Sequence, residues 1–117
     1  MSVQKYPHLF EPLIIGNTVF RNRIFASPQG SSFVDCAEFP TPEIAAYYER
    51  KAMGGSATIC MGERAVDSRR GLNYGGQVIP LEDHRGQAYF KYLTNAVSRH
   101  GTVPSIELQH GGCWGST

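Results

Sequence analysis

Three short apolar runs, at residues 23–27, 57–61 and 103–108, alternate with two stretches whose apolar residues recur at helical spacing, and this alternation constrains the fold most. The middle run, Ala57-Thr58-Ile59-Cys60-Met61, is nearly all apolar, as expected of a strand buried on both faces of a helix-covered parallel sheet. The order strand, helix, strand, helix, strand therefore reads as two βαβ units. Such units fit either a barrel or a doubly wound sheet, and periodicity alone does not choose between them. Three parallel strands would leave a bare edge and an uncovered apolar face, so the chain, which stops at Thr117, reads as the opening part of a larger α/β protein.

Local signals place the elements. Leu13-Ile14-Ile15 and Thr18-Val19-Phe20 flank Gly16-Asn17, a pair suited to a tight hairpin turn. Arg23 to Ser27 is a brief strand that Pro28 is expected to end, because its missing N–H cannot serve a central ladder. Thr41 suits an N-cap, Pro42 the first helical position and Glu43 the positive end of the dipole, while Gly54-Gly55 closes the pattern, predicting a helix over 42–53. Asp83 is the expected cap of a second helix, with Tyr89, Leu93, Ala96 and Val97 on one face and Gly101 at its end. Between Met61 and that helix, residues 62–82 read as one long connection rich in Arg, Gly and Asn, well beyond the ~2 to 6 residues usual for a βα loop. With no repeat, linker or low-complexity tract, residues 1–117 read as one unit.

Composition excludes several function classes. With 11 basic and 10 acidic residues the net charge is +1, which offers no electrostatic footprint for nucleic acid or an anionic membrane. No apolar run approaches the ~20 residues of a bilayer span, and the N-terminus lacks the apolar stretch of a secretory signal, so a cytoplasmic protein is expected. Cys36, Cys60 and Cys113 lack CxxC spacing and read as reduced structural cysteines rather than a metal site or disulfide.

In α/β architectures ligands sit at the carboxyl ends of the strands, which directs attention to residues 27–30, 61–63 and 107–112. Pro28 and Gly30 let a flat ligand approach the backbone, Gly62 is bare, and Glu107, Gln109 and His110 bring polar groups to the third tip. Together they resemble a wall for a planar cofactor. No G-x-G-x-x-G follows the first strand and no G-x-x-x-x-G-K-[ST] occurs, which weakens a dinucleotide-fold or P-loop reading.

The stretches LFEPLIIGNTVFRNRIFASPQG, YYERKAMGGSATICMGERAV and SRHGTVPSIELQHGG resemble the N-terminal part of the Old Yellow Enzyme family, in the family's order and over nearly the whole chain. The branch most resembled is that of 2,4-dienoyl-CoA reductase and the bile-acid-inducible reductases. The resemblance implies a partial (β/α)8 TIM barrel: an N-terminal hairpin, the first three parallel strands and two helices. It implies FMN as cofactor, NAD(P)H as hydride donor, and reduction of an activated C=C bond such as an enoyl or dienoyl thioester or an enone. In that branch the iron–sulfur cysteines lie late in the chain, so a cluster would be expected only beyond Thr117. A small-molecule substrate is implied, and a homo-oligomer is compatible with the family.

By the same resemblance, Ser27, Pro28 and Gln29 would pack against the flavin, Gly62 or Glu63 would lie near its pyrimidine edge, and Glu107 stands where the family usually places a Gln that hydrogen-bonds that edge. Glu107 is a departure, since a carboxylate accepts but does not donate unless protonated, and an ionised one beside a negatively charged flavin is unfavourable without a compensating charge. Gly30 stands where many relatives carry Thr or Cys, and Cys113 where Arg is frequent. His110 matches the family's histidine and is the candidate catalytic residue of the segment.

Bland readings stand beside these. Pro28 and Gly30 alone would serve equally as an ordinary strand-ending turn. His8, His84 and His100 read as solvated or helix-terminal. Arg64, Arg69 and Arg70 read more readily as a solvated loop than as a contact for an acidic thioester. Tyr47, Tyr48, Tyr89, Phe90 and Tyr92 read as packing of the outer layer. The rival to the enzyme reading is a catalytically incompetent fragment, or a non-catalytic subunit that completes its barrel with another chain.

Overall fold

A computed structural model describes residues 5–29, 41–67 and 84–114. An antiparallel hairpin, β1 (Leu13–Ile15) and β2 (Thr18–Phe20), precedes a three-stranded parallel sheet of β3 (Phe25–Gln29), β4 (Thr58–Ala65) and β5 (Val103–Gln109). Helix α1 (Pro42–Met53) links β3 to β4, and α2 (His84–Ser98) precedes β5. The hairpin turns at Gly16, whose φ of +58° lies in the left-handed region a two-residue turn requires.

The strands lie side by side in chain order, and both helices pack on one face. Ile44, Ala45, Tyr48 and Ala52 of α1 and Leu93 and Val97 of α2 form one buried cluster with Ile59 and Met61 of β4, joined by Ala26 and Ile106 from the flanking strands. Two right-handed crossovers running in the same direction put both helices on one face in a barrel and in one half of a doubly wound sheet alike, so the three strands fit both architectures.

Helix α1 has the expected bounds, and its end is sealed by the Gly54 N–H on Arg50 O and the Gly55 N–H on Ala52 O, with Gly55 at a φ of +100°. Thr41 takes the extended cap conformation but makes no side-chain cap bond; its hydroxyl instead interacts with Glu43 and lowers the pKa of that carboxyl. The expected face of α2 is also found, with Leu93, Ala96 and Val97 buried and Tyr89 against the cluster. Its proposed cap, Asp83, lies outside the described residues.

Two strand ends differ from expectation. Pro28 does not end β3, which begins at Phe25 and runs through Pro28 to Gln29. The register passes from Ala26↔Ile59 to Gln29↔Met61, three steps on β3 against two on β4, so Ser27 and Pro28 occupy a bulge where a missing N–H is tolerated. Gly62 likewise does not break β4. A second bulge, between Met61↔Ile106 and Arg64↔Leu108, carries β4 to Ala65, and the Val66 N–H extends the pairing to Gln109 O at 3.0 Å. The first residues assigned to the long loop are thus strand, because β5 offers a parallel partner to bond with.

At the opposite end the strands start in unbroken register. Arg21 donates from one nitrogen to His100 O at 2.6 Å and from the other to Ala52 O, Ser56 O and Thr102 Oγ1 at 2.9–3.0 Å. Asn22, buried, donates to Gly55 O and accepts the Ile24 N–H, which fixes where β3 begins. Thr58 Oγ1 donates to Val103 O at 2.7 Å. On the outer helix surface Glu49 Oε1 receives Arg99 Nε at 2.7 Å, the Arg99 terminal nitrogen and His100 Nε2, tying α1 to the end of α2.

Candidate functional site

Where β3 ends, the three parallel strands share one register line, Gln29↔Met61↔Ile106, beyond which β4 and β5 run on together to Ala65↔Gln109. Pro28 precedes that line by one residue, while Gly62 and Glu107 each follow it by one. Both bulges fall at this level on adjacent strands, so the ladder is interrupted where the backbone would face a ligand.

Alternation decides which side chains face away from the helices. Ala26, Ile59, Met61 and Ile106 pack on the helix side, which leaves Ser27, Cys60, Ser105 and Glu107 on the inner face. Ser27 and Pro28 are exposed, Glu107 and Cys60 half-buried. Below the tips this face is lined by small side chains, Cys60 beside Ser105, and Glu107 and Gln109 follow on the same side.

Gln29 is placed differently from the flavin-facing role the resemblance implies. Its side-chain oxygen accepts from Tyr47 Oη at 2.5 Å and from Lys51 Nζ at 3.0 Å, and its backbone carbonyl accepts from Tyr48 Oη at 2.9 Å, so its polar groups are turned to α1. The Gly62 N–H is also engaged, donating to Tyr48 Oη at 3.1 Å. Gly62 is itself buried, and the polar side chains on the inner face at this level are those of Ser27 and Glu107. Glu63 lies in the β4 bulge between them.

His110 follows β5 and is exposed, with Nδ1 accepting the Gly112 N–H at 3.0 Å across a turn in which Gly112 has a φ of +56°. That bond places the proton of the neutral ring on Nε2, which points a donor outward.

Two buried groups were not foreseen. Arg64 belongs to β4 and is 2% exposed, with its guanidinium 5.8 Å from the Phe90 ring centroid, which corrects its assignment to a solvated loop. Burial lowers its pKa, and the nearby Tyr48 and Tyr89 oppose that shift. Tyr89 is pushed up by burial, and its buried hydroxyl has no hydrogen-bond partner among the described residues. Arg69, Arg70 and Gly30 lie outside the described residues. The sequence marks Arg64 weakly, because its burial depends on the bulge two residues before it; Tyr48 carries a clearer sign, a tyrosine at an α1 position where phenylalanine would pack as well.

Among the described residues no group of three or more His, Cys, Asp or Glu is disposed to hold a metal, and no helix is long and apolar enough to cross a membrane. Cys60 and Cys113 are free thiols.

Residues 8–115 match the NADH:flavin oxidoreductase / NADH oxidase family. The chain belongs to that family. It is 31% identical over 107 residues to an NADH oxidase of Thermoanaerobacter brockii, covering 92% of this chain and 16% of the relative. Among solved structures it is similar to the old yellow enzyme of Trypanosoma cruzi, with a TM-score of 0.83 at 22% identity over 96% of this chain and 29% of the other. A 2-naphthoyl-CoA reductase complex gives 0.84 at 23% identity over 95% and 17%. The described strands and helices are therefore part of a TIM barrel, and the chain spans about a sixth of the length of the curated relative it matches.

Proposed function

We propose that these strand tips form one wall of the FMN site of an NAD(P)H-dependent ene-reductase that reduces an activated C=C bond, such as that of an enoyl or dienoyl thioester or an enone. The observation that carries this reading is that Ser27, Pro28, Gly62 and Glu107 all lie within two residues of one register line, Gln29↔Met61↔Ile106, toward the carboxyl end of a barrel sheet, in a chain of the flavin oxidoreductase family. That end is where barrel enzymes build their sites. The similarity to a fold seen with 2-naphthoyl-CoA supports a thioester as the substrate class. A small-molecule substrate and a cytoplasmic location belong to the same proposal.

The residues present fit such a cofactor: an exposed Ser27-Pro28 backbone for a flat ring, a glycine on the next strand, and a half-buried carboxylate on the third. Bound FMN would supply the acceptor and donor of hydride, taking it from a reduced nicotinamide and delivering it to the alkene. The chain's part is orientation and electrostatics. Ser27 offers a hydroxyl at the ring's edge. As a carboxylate, Glu107 would accept from a ring N–H and oppose added negative charge nearby, and so would disfavour reduction of the cofactor relative to an amide at that position. His110, with its proton on Nε2, presents a donor to a polar group of ring or substrate.

Titration with FMN, followed by flavin fluorescence and absorbance, tests the first step; quenching and a resolved bound spectrum are expected, and a spectrum identical to free FMN overturns the reading. Anaerobic bleaching by NADH or NADPH, then reoxidation by an enoyl thioester or an enone, tests the second.

A further inference from the structure

Among the described residues, two tyrosines of the helix layer have buried hydroxyls, of which one has no partner there and the other has two. Tyr89, beside Arg64 of β4, has a hydroxyl with no hydrogen-bond partner among the described residues. Tyr48, 1% exposed, uses both hydrogen-bonding capacities of its oxygen: it donates to Gln29 O at 2.9 Å and accepts the Gly62 N–H at 3.1 Å. Gln29 closes the bulge of β3 and Gly62 lies inside the bulge of β4. A helix side chain thus bonds both strands where their own ladder is interrupted.

We propose that Tyr48 is a positioning residue for the cofactor wall: its hydroxyl sets the spacing and orientation of the two bulged strand tips against which the ring lies. This rests on the flavin reading of those tips. The phenol is itself fixed by burial among Ile44, Ala45, Ile59 and Met61 and by an edge contact with Tyr47, ring centroids 5.3 Å apart. Tyr47 and Lys51 reinforce the clamp from the exposed side by holding the Gln29 amide. A phenyl ring would fill the same space and leave the Gly62 N–H buried without its acceptor, so the tip would move to find another.

The test compares Tyr48→Phe with Tyr89→Phe in the FMN-loaded protein, reading FMN affinity, the bound flavin spectrum and amide exchange at Gly62. Tyr48→Phe should weaken FMN about tenfold, the equilibrium worth of one buried hydrogen bond, alter the spectrum and speed exchange at Gly62. Tyr89→Phe should leave all three unchanged. A purely space-filling role for Tyr48 predicts unchanged affinity and exchange, and that result overturns the proposal. Should Tyr48→Phe not fold, the wild-type Gly62 amide decides: the clamp requires exchange as slow as at Ile59 despite the bulge, and fast exchange overturns it. A wild-type protein that takes up no FMN ends the flavin reading, while the Gly62 amide still judges the clamp.

Discussion

The two ends of the parallel sheet are held by different means. At the amino-terminal end the register is unbroken, and Arg21, Asn22 and Thr58 tie strand starts to helix ends through several independent bonds. At the carboxyl-terminal end both β3 and β4 are bulged, and one hydroxyl from α1 joins them. The contrast separates stability from chemistry. Redundant polar bonds keep one end closed whatever happens at the other, which can then present interrupted backbone to a ligand.

The largest expected effect sharpens this contrast from the stable end. Arg21→Ala removes four hydrogen bonds to carbonyls and a hydroxyl, a loss of about 2–3 kcal/mol for a charged donor in a partly exposed site. Thermal denaturation should show the lower midpoint while FMN affinity stays within about twofold; a matched fall in both would mean that the ends are not independent. Glu107→Gln acts from the other end. Replacing an acceptor-only carboxylate with an amide should tighten FMN about tenfold, near 1.4 kcal/mol, and raise the flavin's reduction potential with no change in melting beyond about 0.5 kcal/mol. Unchanged affinity and potential in that variant would remove Glu107 from the cofactor wall.

Tyr89→Phe should be smaller still. It deletes a buried hydroxyl that has no partner among the described residues, so denaturant unfolding should show no loss and a gain of up to about 1 kcal/mol. A clear destabilisation would reveal a bond to the hydroxyl. The mildest effect belongs to Glu49, held below the ordinary carboxylate value of 4.5 first by its hydrogen bond from Arg99 and then by His100. Because its folded pKa is the lower one, the stabilisation is present above the unfolded value and lost as pH falls through the folded one. The melting temperature should therefore decline as pH drops below about 4.5, and Glu49→Gln should flatten that decline while leaving a neutral-pH flavin spectrum untouched. An unchanged acid profile in that variant would show that the α1–α2 tie does not contribute.

Much of the scaffold was legible residue by residue. Pro42, Glu43 and the Gly54-Gly55 ending bound α1 correctly because those preferences act within one turn of helix. Gly16-Asn17 located the hairpin for the same reason. The strand tips were read less well: Pro28 and Gly62 looked like breakers, yet both lie within strands, because a bulge absorbs the missing donor of one and the missing side chain of the other once a partner strand runs alongside. Arg64 was assigned to solvent and is buried.

By itself the order of residues determined the elements, their alternation and the end of the sheet at which polar and glycine residues gather, since each follows from interactions among near neighbours. Which side of the sheet Gln29 faces, how far β4 extends, and that one tyrosine hydroxyl joins two strand tips were decided only by the tertiary structure. These depend on contacts between residues such as Tyr48 and Gly62, or Tyr47 and Gln29, that the chain brings together only after the sheet has its register and the helix has docked.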